Sequence, residues 1–169
     1  RASLARSSHV SHIVSQNVDG LHLRSGVPAS VLCELHGNVF KERCPGCDRE
    51  YLRDFDVSEG SSFRRHETGR TCEARGCAER PLRDTIVYFG ERIHAPTLEV
   101  AQRAAHNADL AIFVGSSLKV LLHYPYIWER KTVATRKKRF VIVNLQPTPK
   151  DRVADLIIRG RADPVLDRL

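Results

Sequence analysis

Four thiols stand in two short-spaced pairs, Cys44-Pro45-Gly46-Cys47 and Cys72-Glu73-Ala74-Arg75-Gly76-Cys77, with twenty-four residues between the pairs. Two sulfurs carried on one tight loop can face a common point, and four of them make the tetrahedral set that Zn2+ prefers. Gly46 and Gly76 lend the loops the backbone freedom to do so. With all four coordination positions filled by protein, the spacing predicts one structural Zn2+ on Cys44, Cys47, Cys72 and Cys77 that folds its segment, not an open catalytic centre. His66 could replace a thiol, but four cysteines suffice without it. Cys33, amid Val31, Leu32 and Leu35, is predicted to be a small buried hydrophobe.

Other residues suited to chemistry lie outside the thiol segment. Ser15-Gln16-Asn17-Val18-Asp19-Gly20 offers amides and a carboxylate that can hold a sugar or a carboxamide, or, on the plainer reading, Asp19 caps a helix. His36, in Leu35-His36-Gly37-Asn38, has the side chain best suited to general-base work, with an ordinary pKa of about 6.5. A lone histidine is more often structural, so its company decides. That company is Phe89-Gly90-Glu91-Arg92, Gly115-Ser116-Ser117-Leu118-Lys119-Val120 and Asn144-Leu145-Gln146. Small residues at Gly115–Ser117 permit close approach to a phosphate or ribose.

These groups need elements to position them. Continuous apolar runs at 12–16, 109–115, 139–144 and 155–160 predict parallel strands covered on both faces. Helical spacing of Leu98, Ala101, Ala105 and Ala108 predicts a helix over 96–107, and a second is predicted from near His123 through Trp128. A last helix is predicted with Asp163 as N-cap and Pro164 at its first position. Strands alternating with helices predict an α/β fold with an open parallel sheet, and ligands of such sheets sit beyond the strands' carboxyl ends. The polar stretch 44–83 breaks the rhythm and lacks the apolar residues for a core of its own. It is predicted to be a small zinc-binding module inserted between 1–43 and 84–169.

Hydrophobic residues make up 41% and charged ones 28%, a globular composition, and no apolar stretch is long enough to span a membrane. The first six residues lack the apolar core of a signal peptide. With an odd count of five cysteines, this points to a reducing compartment and metal binding rather than disulfides. Lysine and arginine number 27 against 20 acidic residues, giving +7 and an attraction to polyanions. The densest run, Arg136-Lys137-Lys138-Arg139, is expected to be a solvated loop flanking the strand Phe140–Val143; a nuclear-localisation or DNA-backbone role is the alternative.

Taken in order, these motifs resemble the catalytic domain of the sirtuin family from about Ser11 to Leu169. Leu82-Arg83-Asp84-Thr85-Ile86-Val87, followed by Phe89-Gly90-Glu91-Arg92, together with Asn144-Leu145-Gln146-Pro147-Thr148-Pro149-Lys150-Asp151, resembles its class IV branch. The resemblance implies a Rossmann-like sheet and NAD+-dependent deacylation of protein lysines. The acyl group passes to ADP-ribose and nicotinamide leaves. It implies His36 as general base deprotonating a ribose hydroxyl, with Asn17 as its catalytic companion. Gln16, Asn17 and Asp19 would line the nicotinamide and ribose pocket; Gly115, Ser116 and Ser117 would approach ribose and phosphates; Asn144 and Gln146 would approach the adenosine ribose. An acyl-lysine peptide would run between Phe89, Gly90 and Glu91 on one side and Leu118 and Val120 on the other. Acyl-lysine proteins, histones included, are the implied substrates, with chromatin contact through the basic surface and a nuclear or nucleolar location.

The family's opening glycine-rich phosphate loop has no counterpart in these residues. The expectation is that it lies upstream and that this piece alone binds NAD+ poorly and turns over little. Two alternatives stand beside the enzyme: a zinc-containing nucleic-acid-binding module, and a sirtuin-like scaffold without activity.

Overall fold

The computed structural model describes residues 10–59, 64–77, 79–130 and 137–168. They form two compact units, one from His12 to Leu98 and the other comprising the residues from Glu99 onward.

In the first unit, β1 (Ile13–Ser15) pairs in parallel with β2 (Leu32–Glu34), with Val14 opposite Cys33. Between them lie the short helix α1 (Leu21–Arg24) and a 3-10 turn at Ala29–Val31, the crossover that parallel pairing demands. Next come β3 (Lys41–Arg43), β4 (Glu50–Leu52), β5 (Glu67–Thr71) and β6 (Pro81–Asp84). They form an antiparallel sheet in the order β4-β3-β6-β5. This sheet runs from Lys41 to Asp84 and contains both cysteine pairs.

Its buried cluster consists of Cys44, Cys72, Cys77 and Leu82, with Tyr51 and Ala74 against it. Three thiols and one leucine are too little apolar surface to fold such a sheet, so metal ligation has to supply what burial does not. The sheet also buries two carboxylates, Asp84 and Glu42; that of Glu42, fully inaccessible, accepts from Arg53 Nε at 2.7 Å and Arg70 Nε at 2.8 Å. Burial opposes its charge, but bonds from Thr68 and the two guanidiniums hold it below the ordinary carboxylate range.

Helix α2 (Ala95–Asn107) carries the chain out of the first unit into the second. There β7 (Leu110–Val114), β8 (Arg139–Val143) and β9 (Leu156–Ile158) form a parallel sheet in the order β7-β8-β9, with Val114 opposite Val143 and Val143 opposite Ile158. All four predicted strands are present, β1 in the two-stranded sheet and the others here, but the expected cover of both faces is not: Val14, Leu110, Ile112, Val114, Leu156 and Ile157 are exposed among the described residues. Leu118, Leu121 and Ile142 form the buried cluster, packed by Phe113, Tyr124, Ile127, Trp128 and Ala154.

Three local expectations are corrected. The helix expected from near His123 through Trp128 starts two residues later, as α3 (Pro125–Trp128) after a 3-10 turn at Val120–His123, since proline is best placed in a helix's first turn. The last helix, α4 (Ala162–Leu166), starts earlier than predicted, with Arg161 as its cap and Asp163 already inside. Pro164 is tolerated because the first four N–H groups have no intrahelical acceptor. The basic run is not a uniformly solvated loop: Lys138 is 2% exposed. Its ammonium lies 3.4 Å from the Ile127 carbonyl and 5.8 Å from the Phe140 ring centroid, and burial lowers its pKa. Arg136 lies outside the described residues.

Candidate functional site

The four predicted thiols converge. Their ligand atoms all lie within 4.8 Å of one another, with Cys44 and Cys77 sulfurs 3.3 Å apart and Cys47 and Cys72 sulfurs 3.7 Å apart. A tetrahedral zinc with bonds of about 2.3 Å separates its sulfurs by roughly 3.8 Å, so one Zn2+ fits this set. The Gly46 N–H donates to Cys44 Sγ and the Ala74 N–H to Cys72 Sγ, while the Tyr51 hydroxyl lies 3.2 Å from Cys72 Sγ. Such donors favour thiolates. At Cys44 burial opposes ionisation, but the Cys47 and Gly46 amides and the neighbouring thiols bring its pKa down to about 6. His66 takes no part: its Nδ1 is 2.9 Å from Asp84 Oδ1 and its Nε2 is 3.1 Å from Glu91 Oε1.

His36 stands at the shared carboxyl end of β1 and β2. The parallel pairing continues through the Leu35 N–H to the Ser15 carbonyl at 2.9 Å. This brings the His36 imidazole into a hydrogen bond with the Gln16 main chain, so His36, Gln16 and Asn17 gather at one strand end. Burial lowers the pKa of His36 and outweighs that hydrogen bond, leaving a half-buried imidazole neutral and able to accept a proton near neutral pH. Asn17 is exposed, its main-chain N–H donating to Ser15 Oγ. Asp19 is exposed too; one carboxylate oxygen accepts the Leu21 N–H, but the helix cap is Gly20, one residue later than the capping reading places it.

Sequence reasoning missed Asn38, which anchors this end. Fully buried, it donates Nδ2 to Glu34 Oε1 at 2.7 Å and accepts the Phe40 N–H at 2.8 Å, and its own N–H reaches Thr85 Oγ1. Its place two residues after His36 was the available signal. Gly37, at φ +86°, lets the chain 85–87 pass: a Cβ there would sit 2.0 Å from the Thr85 carbonyl oxygen. The Val87 N–H then donates to the His36 carbonyl at 3.0 Å, which sets the turn Tyr88–Glu91 close to the histidine in the chain fold. Phe89 is 87% exposed on that turn and Gly90 is exposed beside it. The Glu91 carboxylate is engaged within the turn, accepting the Tyr88 N–H at 2.9 Å and meeting His66.

In the second unit, Gly115, Ser116 and Ser117 follow β7, and Asn144 and Gln146 follow β8, at the carboxyl ends of adjacent parallel strands. Gly115 has φ +64°, and its N–H donates to the Val143 carbonyl. Ser116 Oγ accepts the Leu118 N–H, and Asn144 Nδ2 donates to the Gln146 carbonyl. Ser117 and Val120 are exposed. The Leu118 side chain is 1% exposed in the core, so only its main chain is left to face a ligand.

The comparisons match this arrangement. The Sir2 family model covers residues 2–122. The chain is 50% identical to the NAD-dependent protein deacetylase sirtuin-7 of Bos taurus over 95% of its own length and 40% of that protein's. It is 39% identical to SRT1 of Oryza sativa subsp. indica over 96% of its length and 32% of the relative's. It thus spans less than half the length of these curated relatives. A solved structure of Sir2Tm bound to a propionylated peptide is 30% identical with a TM-score of 0.68, over 99% of this chain and 65% of that one. The Rossmann-like α/β fold with a four-cysteine module is therefore the fold of this chain. From the model match, which takes in β1 to β7 with all four thiols and His36, the chain belongs to the Sir2 family, the sirtuins.

Proposed function

We propose that this chain is the part of an NAD+-dependent protein-lysine deacylase that carries the general base and the structural zinc. His36 carries the reading. A neutral, half-buried imidazole is held by the Gln16 main chain at the end of two parallel strands, beside the segment that leads into the Tyr88–Glu91 turn. NAD+, as co-substrate, supplies the ribose whose hydroxyl His36 deprotonates and to which the acyl group passes as nicotinamide leaves. Gln16, Asn17 and Asp19 contribute polar groups toward the nicotinamide ribose. Gly115, Ser116, Ser117, Asn144 and Gln146, at the ends of β7 and β8, contribute theirs toward phosphates and adenosine ribose. The acyl-lysine peptide adds as a strand along Phe89–Glu91.

Relatives named as NAD-dependent deacetylases support this, as does a Sir2 structure with 2'-O-acetyl-ADP-ribose and a deacetylated p53 peptide. Zn2+ on the four thiols serves folding. A nuclear, chromatin-associated setting belongs to the same proposal, supported by the charge of +7, which favours contact with DNA; histones enter it only as one class of acyl-lysine protein. The nucleic-acid-module reading loses its footing, because residues 44–83 hold eight arginines against eight carboxylates and have no net charge to offer a phosphate backbone.

The test is an acetyl-lysine peptide assay on the intact protein, with and without NAD+, beside His36→Ala. Product that needs NAD+ and falls by at least about a hundredfold in the variant is expected for loss of a general base. Product that persists in His36→Ala, or forms without NAD+, overturns the proposal.

A further inference from the structure

The two nitrogens of His66 both face carboxylates, on an element that the proposed chemistry does not use. His66 precedes β5 at φ +62°, a conformation that costs a non-glycine residue about 1 kcal/mol or more and persists where surrounding contacts enforce it. Its carbonyl accepts the Asp84 N–H at 2.8 Å, so main chain and side chain of the same two residues are paired. Asp84 is wholly buried at its carboxylate and also accepts the Ile86 N–H, while the His66 side chain is only 12% exposed. On the far side of the ring, Glu91 bridges His66 and the Tyr88 N–H, and the Tyr88 ring lies 5.3 Å from the imidazole. Arg64, two residues earlier, donates to the Phe89 carbonyl. Two side chains of the cysteine-bound sheet therefore grip the turn whose chain passes His36.

We propose that His66 is a positioning residue for the acyl-peptide, an imidazolium clamped between Asp84 and Glu91 that holds the Tyr88–Glu91 turn in the shape the peptide strand joins. The assignment rests on the deacylase reading for its substrate. A neutral imidazole has one N–H and can donate to one carboxylate; the protonated ring donates to both, so this geometry selects the charged form. The charged groups around the ring agree. Burial lowers its pKa, but Asp84 and Glu91 together raise it above 6.5. Arg64 helps to lower the pKa of Glu91 against its burial, and that of the Tyr88 phenol beside the ring is raised by burial and by Asp84, Glu91 and Asp56. Because the folded pKa is raised, the clamp is whole at lower pH and is lost as pH rises through that value. His36 behaves in the opposite sense, losing its base form as pH falls. Peptide recognition and proton abstraction thus call on two histidines in different forms, His66 protonated and His36 neutral.

The experiment uses His66→Gln and Glu91→Gln in the intact, zinc-loaded protein, with steady-state kinetics in acetyl-lysine peptide and in NAD+ across pH and amide hydrogen exchange at Tyr88 and Glu91. Expected are a rise of about tenfold in KM for peptide, the scale of a charge-assisted hydrogen bond, with KM for NAD+ and zinc content unchanged. In the unsubstituted protein kcat/KM for peptide falls on the alkaline side; in His66→Gln that limb is absent. Exchange at Tyr88 and Glu91 quickens in both variants. Unchanged exchange, or equal losses for peptide and NAD+, overturns the clamp. Absence of any NAD+-dependent product would instead defeat the deacylase reading, and the exchange result would still decide the clamp.

Discussion

Alanine at Gly37 tests the joint on which the His36 site is built. The new Cβ would lie 2.0 Å from the Thr85 carbonyl oxygen and 2.4 Å from its carbon, against an ordinary contact of 3.4 Å or more. Both obstacles are main chain, so no side-chain rotation relieves them; the 85–87 segment must move by more than an ångström. Moving it breaks the Val87-to-His36 hydrogen bond and the Asn38-to-Thr85 bond, about 1 kcal/mol each. The left-handed φ of +86° adds about 1–2 kcal/mol for a residue with a Cβ. Together these give a destabilisation of about 3–4 kcal/mol. Gly69 is the control: its φ is +73°, but nothing lies within 4 Å of its would-be Cβ, so Gly69→Ala should cost only the conformational part, about 1–2 kcal/mol. Urea unfolding of zinc-loaded protein followed by circular dichroism, with hydrogen exchange at the Val87 amide, compares the two. Equal costs within about 0.5 kcal/mol, or a Val87 amide that keeps its protection, would refute the close-approach argument.

Chelating the metal should remove one zinc per chain and dissolve the β3–β6 sheet, since the thiols make up most of its buried cluster; loss of its amide cross-peaks is the measurement. Glu42→Ala should cost about 3–5 kcal/mol, because it strands the guanidiniums of Arg53 and Arg70 around a vacated carboxylate site, as thermal unfolding will report. Turnover should fall as pH drops below 6.5 through the depressed pKa of His36, where the base becomes protonated; a rate profile flat across pH 5–7 would contradict that role. Lys138→Met should leave stability within about 1 kcal/mol of the parent or raise it, because an ammonium with one long hydrogen bond is exchanged for an apolar chain of similar size.

What the sequence disclosed was whatever depends on spacing along the chain. The thiol pairs, the four strands of parallel type and the helix 95–107 are local patterns, and each is where periodicity placed it. His36 was singled out by the order of its neighbouring motifs, and the fold sets it with Gln16 and Asn17 at the end of β1 and β2. Contacts between distant residues were hidden: Glu42 finds Arg70 across twenty-eight positions and His66 finds Glu91 across twenty-five, and no local rule pairs them. Lys138 was misjudged for the same reason. Lysine in a basic run suggests solvent, but packing from α3 and β8 buries it. At Asp163 a good capping residue stands two places inside the helix, since proline tolerates any position of the first turn.

Trp128, the chain's single tryptophan, stacks on Phe113 at 4.8 Å, donates Nε1–H to the Leu121 carbonyl and carries the Lys150 ammonium 4.6 Å above its ring. All these partners belong to the unit from Glu99 onward. Indole emission is therefore a private reporter of that unit, blind to the melting of the thiol-bound sheet, whose own signal is the ultraviolet band of its thiolates with the metal. Recorded in one titration, the two optical channels would tell whether the halves of this chain come apart in a single event or in sequence.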